Sequence, residues 1–126
     1  LGRPDDARAA LHKVIDARKG GDLAAQAHLM RGETYFHQDR LREALSEFLK
    51  VDILYDVPRW QAAALLEAGK VYERLGQWGD AVHTYEELRA RPDDPNTAQA
   101  KAEAKKRLES ARQHMSAGNQ SGGKVF

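Results

Sequence analysis

The sequence predicts an all-α chain built of stacked antiparallel helical hairpins. Three observations predict it. Apolar residues recur at helical spacing through most of the chain, and strand signals are nearly absent. The prolines, Pro4, Pro58, Pro92 and Pro95, stand at expected helix boundaries rather than inside the pattern. Finally, GETYFHQDRLREALSEF (Gly32 to Phe48) returns 37 residues later as GKVYERLGQWGDAVHTY (Gly69 to Tyr85), with glycine, tyrosine, alanine and an aromatic at matching offsets.

The first helix is expected over about Pro4 to Lys19, with Pro4 suited to an opening turn and Gly20–Gly21 to an end. Its stripe is Ala7, Ala10, Leu11, Val14 and Ile15. Asp22 reads as the N-cap of a second helix, about Leu23 to Gln38. The third runs about Leu41 to Tyr55, and Asp56-Val57-Pro58 breaks it, because the residue before a proline is pushed out of the helical region. The fourth runs about Arg59 to Leu75, with Gly76 as the turn, and the fifth Trp78 to Ala90, stopped by RPDDPN. Trp60 and Trp78 repeat the sites of Leu23 and Leu41 and are expected to pack hairpin ends. A sixth helix covers about Thr97 to Met115, and SAGNQSGGKVF reads as a disordered tail.

Short turns between helices of similar length imply antiparallel neighbours. At the 37-residue offset, Ala25, Ala27, Leu29, Gly32, Tyr35, Ala44, Asp56 and Pro58 match Ala62, Ala64, Leu66, Gly69, Tyr72, Ala81, Asp93 and Pro95. The organisation follows: 1–21 is the second helix of a preceding repeat, 22–57 and 58–94 are full repeats, 95–115 is a capping helix and 116–126 the tail. Lys106 and Glu109 fall where glycine and tyrosine would repeat, a polar change that suits a terminal cap.

The pattern resembles the tetratricopeptide repeat, a helix pair with small residues at its eighth and twentieth positions and aromatics at its eleventh and twenty-fourth. Those positions are Gly32, Ala44, Tyr35 and Phe48, then Gly69, Ala81, Tyr72 and Tyr85. The resemblance covers roughly Pro4 to Met115 and departs in its 37-residue period, its displaced prolines, His28 or Leu65 near the start of the first helix, and Val51 or Leu88 near the end of the second. The run AQAHLMRGETYF is similar to the bacterial envelope subgroup, such as the Tol-Pal coordinator and outer-membrane assembly lipoproteins. That likeness implies a bacterial envelope location. The family implies a right-handed superhelix that scaffolds protein–protein interaction.

Composition narrows the chemistry. With 20 basic and 19 acidic residues and a net charge of +1, the chain lacks the basic footprint of a nucleic-acid binder. It has no cysteine, which excludes disulfides and thiolate sites, and no apolar run of the ~18–20 residues a membrane span needs. His12, His28, His37, His83 and His114 form no HExxH or HxxxH pair. Glu86 and Glu87 are adjacent, so on a helix they diverge by about 100° and make no catalytic dyad. Neither a nucleophile elbow nor a phosphate loop is present. No catalytic, cofactor or metal site is expected, and Lys101, Lys105, Lys106, Arg107 and Arg112, mixed with Glu103 and Glu109, read as a solvated face.

Recognition of a protein or peptide partner remains. The resemblance places the first helix of each unit on the concave face, implying a partner-binding set of Gln26, Leu29, Glu33, Phe36 and His37 with Ala63, Leu66, Lys70, Glu73 and Arg74. Leu29, Phe36 and Leu66 would form an apolar strip rimmed by charge. Glu33 stands where a chaperone-tail clamp would carry asparagine, which argues against that partner. Two alternatives are self-association through the face beside the first helix, giving a homo-oligomer, and a regulatory module attached to an enzyme domain.

Overall fold

A computed structural model describes residues 4–17 and 21–122, with side chains over 4–11 and 21–117. Six helices follow one another: α1 (Pro4–Ala17), α2 (Asp22–His37), α3 (Leu41–Leu54), α4 (Pro58–Arg74), α5 (Trp78–Ala90) and α6 (Ala98–Gly122). No strand occurs among the described residues. Gly20 and residues 123–126 of the expected tail lie outside them. α6 continues seven residues beyond Met115, into the segment expected to be tail; no proline before Gly122 stops the backbone there.

Each helix packs against the next, and α4 also touches both α2 and α6, whereas α1, α3 and α5 do not touch one another. The row α2–α4–α6 is therefore drawn together while the other row is splayed. This is the geometry of a curved helical solenoid whose inner, concave surface is α2–α4–α6.

The repeated small residues explain the close hairpins. A Cβ built on Gly32 would stand 2.5 Å from Phe48 Cε1, and one on Gly69 would stand 2.1 Å from Tyr85 Cε1. Each glycine is thus the seat of the aromatic from the second helix of its own unit. Phe48, Tyr85, Ala44 and Ala81 have no exposed surface. One core joins α2, α3 and α4 around Phe48 and Val51; a second joins α4, α5 and α6 around Tyr85 and Leu108. Tyr35, by contrast, is half-buried between two guanidinium groups, those of Arg8 at 4.4 Å and Arg40 at 4.9 Å from its ring centroid.

The turns repeat too. Gly76 has φ +73° and Asp39, 37 residues earlier, has φ 61°, so both units use one left-handed residue between their helices. Glycine adopts this conformation without strain; aspartate tolerates it better than most residues. The Asp39 carboxylate accepts a hydrogen bond of 2.6 Å from Arg74, tying the turn to the next repeat.

Asp22 is not the cap of α2. Gly21 is, with extended φ/ψ and no side-chain hydrogen bond. Asp22 is the first helical residue, and its carboxylate accepts from Trp60 Nε1 at 2.5 Å and from Arg59 at 3.2 Å. It joins the start of α2 to the start of α4. Trp60 packs half-buried on the first core and Trp78 on the second, where Trp78 also stacks on His114 at 4.1 Å.

Candidate functional site

The inner row carries a register of charge. Glu33, Lys70 and Arg107 occupy equivalent positions of successive first helices, each 37 residues from the last. Lys70 bridges Glu67 at 2.9 Å and Glu103 at 3.5 Å. Arg107 bridges Glu103 at 3.1 Å and Glu73 at 3.2 Å. Glu73 also accepts the Tyr85 hydroxyl, so the inner surface is wired to the seat of Gly69. Burial first, then that hydrogen bond, pushes the Tyr85 phenol far up, keeping it a donor at any working pH. Desolvation on the inner face, with Glu67 nearby, raises the Glu33 carboxyl above its usual range against the opposing pull of His37 and Lys70. Arg107 holds the Glu103 carboxyl below its usual range by hydrogen bonding, outweighing desolvation, with Lys70 assisting.

At one end of this row Phe36, Lys70, Glu73, Arg74, Trp78 and Arg107 line an open recess of about 410 Å³. The Arg74 guanidinium lies 5.6 Å over the Phe36 ring. The floor is thus an aromatic face with a cation above it and an ion-paired network along one side.

Four of the residues expected to meet a partner, Phe36, Lys70, Glu73 and Arg74, converge there. Glu33 and His37 are exposed on α2, and Gln26 and Ala63 are half-buried. Leu29 and Leu66 are different: they keep only 6% and 8% of their surface exposed and belong to the two cores. They do not form an open apolar strip with Phe36, because neighbouring first helices approach closely enough to cover them. Arg107, expected on a solvated face, instead reaches across to Glu73; the signal for it is its place one repeat offset beyond Lys70. Lys101 is likewise engaged, donating to the Arg91 carbonyl and to Asp93.

A second, smaller cavity of about 250 Å³ lies where the α3–α4 and α5–α6 turns meet, lined by Asp56, Gln61, Arg91 and Asp94 among others. Arg91 is held there by Asp52 at 2.8 Å, so the site is a structural joint between repeats. Among the described residues no group of three His, Asp or Glu is placed to hold a metal ion, and no helix is long and apolar enough to cross a membrane.

Fold and surface together define a helical-repeat solenoid with a charged inner face. Tetratricopeptide repeat profiles match residues 1–56 and, separately, residues 63–94, and the chain belongs to the tetratricopeptide repeat family. Repeats of this family generally mediate protein–protein interaction, and proteins built from them are typically non-catalytic scaffolds. No curated protein and no solved structure matches the chain.

Proposed function

We propose that the chain is a scaffold that binds a segment of a partner protein on its concave face, centred on Phe36, Lys70, Glu73, Arg74 and Arg107. The observation that carries this reading is the recess itself: three successive first helices and the start of α5 converge on one aromatic floor ringed by charge. A partner side chain can stack on Phe36 while its neighbours exchange ion pairs with Lys70, Arg74 and Arg107. Glu33, His37 and Gln26 extend the surface along α2. An open recess on a small surface suits affinity on the order of micromolar. The AQAHLMRGETYF run is what favours a bacterial envelope setting.

The test is quantitative affinity capture with wild type, Phe36→Asp and Arg107→Glu, each checked for unchanged helical content. The expected result is loss of a common partner set from both variants and its retention by a variant on the outer row, Ala90→Asp. Capture of the same set by all four proteins would reject the concave site.

A further inference from the structure

The two joints between repeats share a turn and are filled differently. In the first, the Trp60 amide donates to the Val57 carbonyl at 3.0 Å; 37 residues later the Thr97 amide donates to the Asp94 carbonyl at 2.9 Å. Tyr55, only 7% exposed, packs with Val57 and Trp60 on the first core, its ring 5.6 Å from that of His28. The same positions in the second joint are Pro92, Asp94 and Thr97, none of which carries an aromatic ring. All three line the cavity of about 250 Å³, and Pro58, Ala62 and Leu88 supply apolar wall. The cavity therefore lies among positions where the preceding repeat places two aromatic side chains.

Its size and charge say what it can take. An apolar cavity of roughly 150 Å³ accepts a benzene ring, so this one has room for a ring the size of indole. Arg91, the cation of the lining, is already held by Asp52 at 2.8 Å and Glu87 at 3.1 Å, and Asp93 is paired with Lys101 at 3.0 Å. Asp94 accepts the backbone amide of Asn96 at 2.7 Å. Asp56 is exposed and has no hydrogen bond or ion pair among the described residues. The unanswered charge of the lining is thus negative, and a cation complements it.

We propose that this joint cavity is a docking site for an aromatic side chain of a partner polypeptide that carries lysine or arginine next to the ring. The ring takes the place that Tyr55 and Trp60 fill one repeat earlier, and the neighbouring cation pairs with Asp56. Pro58 and Ala62 stand at the start of α4, whereas Lys70 and Arg74 of the concave recess stand at its end, so this contact is separate from the concave one.

Titration of the isotope-labelled chain with the blocked tripeptide acetyl-Lys-Trp-Lys-amide, followed by amide chemical shifts, tests this. Saturable shifts are expected at Gln61, Ala62, Arg91 and Thr97, with a dissociation constant on the order of a millimolar for one anchoring side chain. Acetyl-Lys-Ala-Lys-amide and acetyl-Glu-Trp-Glu-amide should each bind at least about tenfold more weakly. Thr97→Trp returns the indole of the first joint to the second and should abolish binding. Because Thr97 is buried, Pro92→Tyr repeats the test at an exposed position outside the helices, and should weaken binding at least about tenfold with helical content unchanged. Asp56→Asn should weaken the Lys-Trp-Lys peptide and leave acetyl-Gly-Trp-Gly-amide unaffected. No saturable shift at these amides, equal affinity for the alanine peptide, or undiminished binding by a folded Pro92→Tyr protein overturns the site. Binding insensitive to Asp56→Asn overturns the charge pairing. Shifts of the same amides on raising the protein concentration without peptide hand the cavity to a second copy and overturn the proposal.

Discussion

Gly69→Ala probes the close approach on which the hairpins depend. Alanine in a helix interior is favoured over glycine by roughly 1 kcal/mol through propensity. Against this, the new methyl would stand 2.1, 2.5 and 2.8 Å from three Tyr85 ring atoms. Ordinary contact begins near 3.4 Å, so the ring or the helix must retreat by more than an ångström. The ring has little freedom: it is fully buried, and its hydroxyl donates to Glu73, itself held by Arg107. Overpacking of a core at such a site costs about 3 kcal/mol, the upper end of the usual range. The net expectation is a loss of about 2 kcal/mol after subtracting the propensity gain. Urea denaturation followed by far-UV circular dichroism measures it. In a Tyr85→Leu background the penalty should disappear and the substitution should turn stabilising, by up to the roughly 1 kcal/mol of helix propensity, since the clashing ring is gone. A Gly69→Ala protein as stable as wild type, or a penalty unchanged by Tyr85→Leu, would refute the glycine-seat argument.

Other expectations follow from the same structure. Gly76→Ala should cost about 1 kcal/mol in the same denaturation experiment even though nothing lies within 4 Å of its added Cβ, because φ is +73°. Leu29→Asp should unfold the first core rather than selectively block a partner, shown by lost helical content, since Leu29 is only 6% exposed. Burial tends to raise the Glu47 carboxyl, but the hydrogen bond from His28 at 2.8 Å and the charges of Arg31 and Lys50 outweigh it and hold it low. Its stabilisation is therefore present above the ordinary carboxylate range and lost as pH falls through the depressed value, so Glu47→Gln should flatten the acid limb of the stability–pH curve. Glu33 has the opposite sign: its raised pKa means that ionisation opposes folding, so Glu33→Gln should stabilise the chain near neutrality and confer nothing once pH falls below the ordinary glutamate range.

What the sequence determined by itself was local and repetitive. Helix existence followed from apolar spacing and from prolines at the breaks, and the 37-residue offset showed that two hairpins share a template. The need for small residues at Gly32 and Gly69 was also legible, because glycine conserved between internal copies opposite an aromatic signals close approach. Tertiary structure decided which side chains remain available. Leu29 and Leu66 share their helix faces with Glu33 and Lys70, yet only tertiary packing covers the leucines while leaving Glu33 exposed and Lys70 half-buried among its ion pairs. The same holds for Asp22, whose capping chemistry is local but whose carboxylate is claimed by Trp60 and Arg59 of the next unit. Periodicity fixes the direction of a side chain about its own axis; its exposure depends on how near the next axis comes, and that distance is set by the small residues and their aromatic partners acting together across the solenoid.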